Sequence, residues 1–235
     1  VAQKKRKRTT QGAKGRSSQR RRQSSGLKTY GLIAAVVVVA VVVVAILVAL
    51  TGGRNPAPTP AELAGQSEGA ADAPVVVVEY ADFQCPYCRQ WALGPAQQLK
   101  KDYIDTGQVR FVFRNLALIG DESTWAAEAA ECAGDQGQFW AYHDLLFQRQ
   151  GAENGGTFSR ANLKQYAASP GLDTAQFGQC LDSGRYLSLV QQQSAEAQRM
   201  GVSSTPSLLA NGQLIQDGSS YPVLQAAIEA ALKGQ

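Results

Sequence analysis

The chain has 235 residues, 44% of them hydrophobic and 18% charged, with a formal net charge of +4. Residues 1–30 hold 11 Lys or Arg and no acid; the remainder holds 12 basic residues against 19 acids, a balance of 12 − 19 = −7. A +11 tail on a −7 body excludes a uniformly basic nucleic-acid-binding domain, and four cysteines are too few for a disulfide-dense miniprotein.

The tail clusters its charge at Lys4–Arg8 and Arg20–Arg22. It reads as a topogenic cytoplasmic segment over 1–30, with a nucleic-acid- or lipid-binding tail as the alternative. The run Leu32–Leu50 has no polar side chain. As a helix it spans roughly 29 Å, close to the ~30 Å hydrocarbon core of a bilayer. The run exceeds the ~7–15 apolar residues of a signal-peptide core. Val48-Ala49-Leu50 is also a poor cleavage site. The expectation is therefore an uncleaved signal anchor over 31–50, with the positive side held in the cytoplasm. Residues 51–73, rich in Pro, Gly and Ala, read as a linker.

Within the body, 74–235, the β-branched run Val75–Val78 predicts a buried strand. Cys85–Asp102 reads as a helix kinked at Gly94-Pro95, and Val109–Asn115 alternates as a second strand. About five helices follow: Ser123–Ala133, Gln138–Gln150, Ser159–Ala168, Thr174–Asp182 and Tyr186–Met200. Asn211-Gly212 is a type I′ hairpin signal between Ser207–Ala210 and Gln213–Gln216. Tyr221–Lys233 closes the chain as a helix. The pattern is an α/β layer fold with a helical insertion at about 121–201.

Cys85-Pro86-Tyr87-Cys88 sits just after a strand and opens a helix. Helix-start amides and the macrodipole favour an anion there. They pull a thiol from ~8.5 toward the ~3.5–7.5 range. Cys88, one turn on, is placed to resolve a mixed disulfide. Half a zinc site is the competing reading, but Cys132 and Cys180 lie far from the pair and from each other. No metal is expected. Glu79, at the strand end, reads as a partly buried carboxyl with a raised pKa that moves protons for Cys88; a surface charge is the alternative. Thr205-Pro206 enters the hairpin and is a candidate cis peptide.

These residues, with the helical block and Gly137–Phe147 (GQFWAYHDLLF), resemble the DsbA-like branch of the thioredoxin superfamily over about residues 74–233. The resemblance implies a thioredoxin fold carrying an inserted helical domain. It implies that Cys85 is the nucleophile, Cys88 the resolving thiol and Glu79 the buried acid, and that Thr205-Pro206 is cis and faces the disulfide. It further implies oxidation of exported proteins with free cysteines at a bacterial cell membrane. Re-oxidation would come from a membrane partner of the DsbB or VKOR type, with no diffusible cofactor. Pro-Tyr between the cysteines is shared with glutaredoxins, and threonine before the proline with isomerase and reductase branches. Reductase or isomerase therefore stands as the alternative direction, and a chaperone or assembly scaffold without redox turnover as the alternative class.

Cys132 and Cys180 fall on helices of the insertion. In an exported body they would be oxidised, and they read as one structural disulfide, with a second redox pair as the alternative. His143, the only histidine, lies among apolar and aromatic residues and reads as a packing residue. Trp91, Trp125 and Trp140 read as core or groove lining.

Overall fold

The structure, a computed structural model, describes residues 33–34, 36–43 and 66–234. Residues 33–34 and 36–43, inside the apolar run, are helical, with exposed side chains such as Val36 and Val41. The rest of the expected anchor, the basic tail and the linker through residue 65 lie outside the described residues. Among the described residues no helix is long and apolar enough to cross a membrane.

The body is built on a five-stranded mixed sheet. Its strands are β1 (Gln66–Glu68), β2 (Val75–Ala81), β3 (Val109–Asn115), β4 (Ser207–Ala210) and β5 (Gln213–Ile215). The order is β1-β3-β2-β4-β5. β2 runs parallel to β3 and antiparallel to β4. Valine-rich β2 takes the centre because its side chains are buried on both faces of the sheet, where β-branched residues pack well. Val75 and Val77 join Trp91, Leu99, Phe111, Leu224 and Ile228 in one core. Val78 and Tyr80 join Val112, Ala197, Val202 and Leu209 in another. Glu79 falls on the same face as Val75 and Val77, so strand geometry alone drives its carboxyl into an apolar layer.

Helices α1 (Pro86–Leu93) and α2 (Pro95–Leu99) break at Gly94, and a π-helical turn, Lys100–Ile104, follows. The expected single kinked helix is thus three pieces. Pro95 supplies no amide for the first helix to continue. Five helices lie between β3 and β4: α3 (Asp121–Gly134), α4 (Phe139–Arg149), α5 (Arg160–Tyr166), α6 (Thr174–Asp182) and α7 (Leu187–Arg199). Each matches its sequence-expected span within two residues at either end. Helix α8 (Tyr221–Lys233) places Leu224 and Ile228 against the sheet.

Two local outcomes differ in how legible they were. Asn211 and Gly212 have φ of 46° and 78°, the two left-handed residues of a type I′ turn. By contrast, Gln66–Glu68 falls in the expected 51–73 linker yet pairs antiparallel with Phe111–Phe113. Three polar residues carry no apolar alternation, and an edge strand of that length owes its existence to its neighbour.

Candidate active site

The loop between β2 and α1 is fixed before the cysteines are reached. Asp82 Oδ1 accepts a hydrogen bond from the Gln84 amide at 2.8 Å. Its Oδ2 accepts from the Leu118 and Ile119 amides at 2.7 and 3.1 Å. The Cys85 amide donates to the Asp82 carbonyl at 3.0 Å. From the insertion, Gln150 Nε2 donates to the Phe83 and Cys85 carbonyls at 2.7 and 3.0 Å. Arg89 Nε donates to the Phe147 carbonyl at 3.0 Å, which ties α1 to α4. Sequence reading missed Asp82 and Gln150. An Asp two residues before a turn amide is a readable Asx-turn signal; the reach of Gln150 across 65 positions is not.

Cys85 is the N-cap of α1, in the extended region at φ −73° and ψ 120°, with Pro86 in the first turn. Cys85 is 5% exposed, Cys88 is fully buried, and both are free thiols. Tyr87 between them is 71% exposed. The Thr205-Pro206 bond is cis, and Ser207 pairs with Tyr80 across β4 and β2. That register brings the Thr205 carbonyl to 3.4 Å from Cys85 Sγ.

Electrostatics separate the two thiols. Cys85 is lowered from 9.0 to about 6, first by a hydrogen bond from the Cys88 thiol. Burial opposes this, while Thr205 and the amides of Cys88 and Tyr87 assist. The neighbouring thiol therefore outweighs the helix-start amides on which the sequence argument relied. Cys88 moves the other way, pushed far up by burial and then by hydrogen bonding to Cys85 and by the nearby charges of Glu79 and Cys85. The pair is arranged as one thiolate and one thiol.

Glu79 is 1% exposed, deeper than the sequence implied. Burial raises it from 4.5 to about 8; the Trp91 side chain opposes this, and the charge at Cys85 adds to it. Glu79 Oε1 and Trp91 Nε1 both lack a full hydrogen-bond partner. The structure thus brings Cys85, Cys88, Glu79, Thr205 and Pro206 to one end of the central strands.

The other two cysteines are elsewhere. Cys132 on α3 and Cys180 on α6 form a disulfide with Cα atoms 5.9 Å apart, within the insertion core. His143 packs between Phe83, Phe113, Phe139, Trp140 and Phe147, with ring centroids 4.9–5.9 Å away. Trp91 lies in the core and Trp125 and Trp140 pack at its margin, as expected.

Comparison with known proteins agrees with this geometry. Residues 63–230 match the family model described as Thioredoxin. The probable disulfide bond formation protein D of Bacillus anthracis is 36% identical over 172 residues, covering 72% of this chain and 78% of that protein. Disulfide bond formation protein D of Bacillus subtilis is 32% identical over 180 residues, covering 71% and 77%. The crystal structure of oxidised BdbD from Bacillus subtilis superposes with a TM-score of 0.67 at 30% identity, covering 71% of this chain and 92% of that one. The chain belongs to the thioredoxin family, and it is a DsbA-like thiol-disulfide oxidoreductase.

Proposed function

We propose that the protein is a membrane-anchored oxidase that inserts disulfides into exported proteins. In this reading the apolar run over 31–50 is an uncleaved anchor, the basic tail stays in the cytoplasm, and the body works outside a bacterial cell membrane. The observation that carries the redox assignment is the pair of free thiols one turn apart at the start of α1, with Cys85 Sγ 3.4 Å from the Thr205 carbonyl beside the cis bond.

In the oxidised enzyme a substrate thiolate attacks Cys85 Sγ. The Cys85–Cys88 bond breaks, Cys88 leaves with the electron pair, and Glu79 supplies its proton. A second substrate thiolate then attacks the substrate sulfur of the mixed disulfide, and Cys85 leaves as a thiolate. The substrate loses two electrons and gains a disulfide; the enzyme ends as one thiolate and one thiol. A well-stabilised leaving thiolate makes the disulfide a good oxidant. The cis Thr205-Pro206 segment, against Cys85, positions the incoming chain. A membrane re-oxidase of the DsbB or VKOR type regenerates the disulfide, and the chemistry calls for no diffusible cofactor. The Cys132–Cys180 bond is a staple and does not turn over.

The test is oxidation of a dithiol peptide by the pre-oxidised full chain in detergent micelles. One equivalent of peptide disulfide is expected per chain, and Cys85→Ser should lower the rate on the order of 10³-fold or more. Unchanged oxidation by Cys85→Ser would refute the reading.

A further inference from the structure

Beside Glu79 a cavity of about 100 Å³ opens between the sheet, α1, α2, the π-helical turn and α4. Such a space is large enough for ordered water if polar groups line it. Glu79 lines it from β2, Glu68 from β1, Lys100 from the π-helical turn, and His143 and Asp144 from α4. Two of these residues hold a buried polar atom without a partner: Glu79 Oε1 and His143 Nε2. Unsatisfied buried polar atoms are uncommon and call for a reason.

His143 is 5% exposed and sits edge-on to Phe113, the ladder partner of Glu79, with ring centroids 4.9 Å apart. Its Nδ1 lies 2.8 Å from Asp144 Oδ1, on a side chain that is half exposed. A carboxylate only accepts, so Nδ1 carries the hydrogen and Nε2 keeps a free lone pair. His143 and the half-exposed Asp144 thus line one cavity with the buried Glu79. Packing alone would have been served by another phenyl ring in this aromatic cage.

We propose that His143, oriented by Asp144, is a positioning residue that carries protons between solvent and Glu79 through this cavity. The inference rests on the reading that Glu79 protonates Cys88. When Cys88 leaves, Glu79 gives up its proton and becomes a buried carboxylate. His143 Nε2 takes a proton from cavity water that exchanges with solvent, forming an imidazolium held by Asp144, and returns it through that water to Glu79. One proton enters from solvent for each Cys88 thiol formed, and no electrons pass through the relay. Glu68 and Lys100, which are hydrogen-bonded and ion-paired to each other, with Lys100 also paired with Asp105, are the other charges lining this space; the Cys85 charge acts on Glu79 from outside it.

The test uses the pre-oxidised full chain in detergent micelles with excess dithiol peptide. The rate of Cys88 release is followed across pH, and the Cys85 thiolate is titrated by its ultraviolet absorbance. Glu79→Gln is expected to slow release about 100-fold, His143→Gln about tenfold and the half-exposed Asp144→Asn about threefold, as for groups in a proton-transfer path. Added imidazole should restore His143→Ala, and His143→Gln should cost nothing further on a Glu79→Gln background. The Cys85 titration should stay in place in both His143 variants. Slow Glu79→Gln with His143→Gln and Asp144→Asn both within twofold of wild type would overturn the relay and leave the Glu79 reading standing. Glu79→Gln at the wild-type rate would overturn that reading and the relay with it. If His143→Gln fails to fold, Asp144→Asn and its pH profile decide alone.

Discussion

The molecule holds two cysteine pairs that differ in everything but the element. Cys85 and Cys88 stand at a helix start, where a thiol neighbour, first-turn amides and a buried acid pull their proton affinities apart. Cys132 and Cys180 sit inside two helices, 48 positions apart in sequence. One pair is set up to exchange electrons, because its two free thiols differ in proton affinity. The other closes a long loop and lies in one buried cluster with Phe139, Phe177 and Leu181. Reactivity here follows from surroundings rather than from the presence of sulfur.

Substitutions at each pair separate the two roles. The largest effect is expected from Cys88→Ala. It leaves Cys85 without a resolving thiol, so mixed disulfides with an added peptide disulfide should accumulate. Catalytic turnover should fall on the order of 10³-fold. Mass spectrometry of the non-reduced protein reads the adduct directly. Next comes Cys132→Ser with Cys180→Ser. Loss of loop closure across 48 positions should cost about 4 kcal/mol. Peptide oxidation per folded molecule should remain at the wild-type rate. Loss of turnover in a fully folded double variant would make this pair redox-active and erase the contrast.

A smaller effect attaches to Glu79. Its value is raised from 4.5 to about 8. Stability from a raised carboxyl is complete below 4.5 and is lost as pH rises toward 8. Glu79→Gln removes that loss, so above about pH 8 the variant should be more stable than wild type by about 1–3 kcal/mol. Thermal unfolding on either side of that window shows it. Cys85 has the opposite sign. Lowered from 9.0 to about 6, it stabilises the reduced form most fully above 9.0 and loses that contribution as pH falls through about 6. The stability of the reduced protein should therefore decline on acidification through about pH 6, and reduced Cys85→Ser should lack that decline. The smallest change is expected for Tyr87→Ala. Its ring is exposed, so stability should move by no more than about 0.5 kcal/mol.

Much of this was legible in the sequence, for identifiable reasons. Val75–Val78 declared a central strand because four β-branched residues in a row suit burial on both faces. Cys-x-x-Cys after that strand, and Asn211-Gly212 in the hairpin, are chemical and conformational signals contained in a few adjacent residues. What was hidden depends on distant neighbours. Gln66–Glu68 becomes a strand only because β3 offers an edge. The lowering of Cys85 by the Cys88 thiol is a matter of side-chain placement within one turn, which spacing alone leaves open. The bonds from Gln150 to the active-site loop join positions 65 and 67 apart. His143 looked like packing because its ring does pack. Its unpartnered Nε2 and its share in the Glu79 cavity are visible only in three dimensions.

A stabilised Cys85 thiolate makes the Cys85–Cys88 disulfide an oxidant. The most direct test is the redox equilibrium of the full chain against glutathione buffers. The expected reduction potential lies nearer about −120 mV than about −270 mV. A potential at or below about −270 mV would mark a reductant and contradict it.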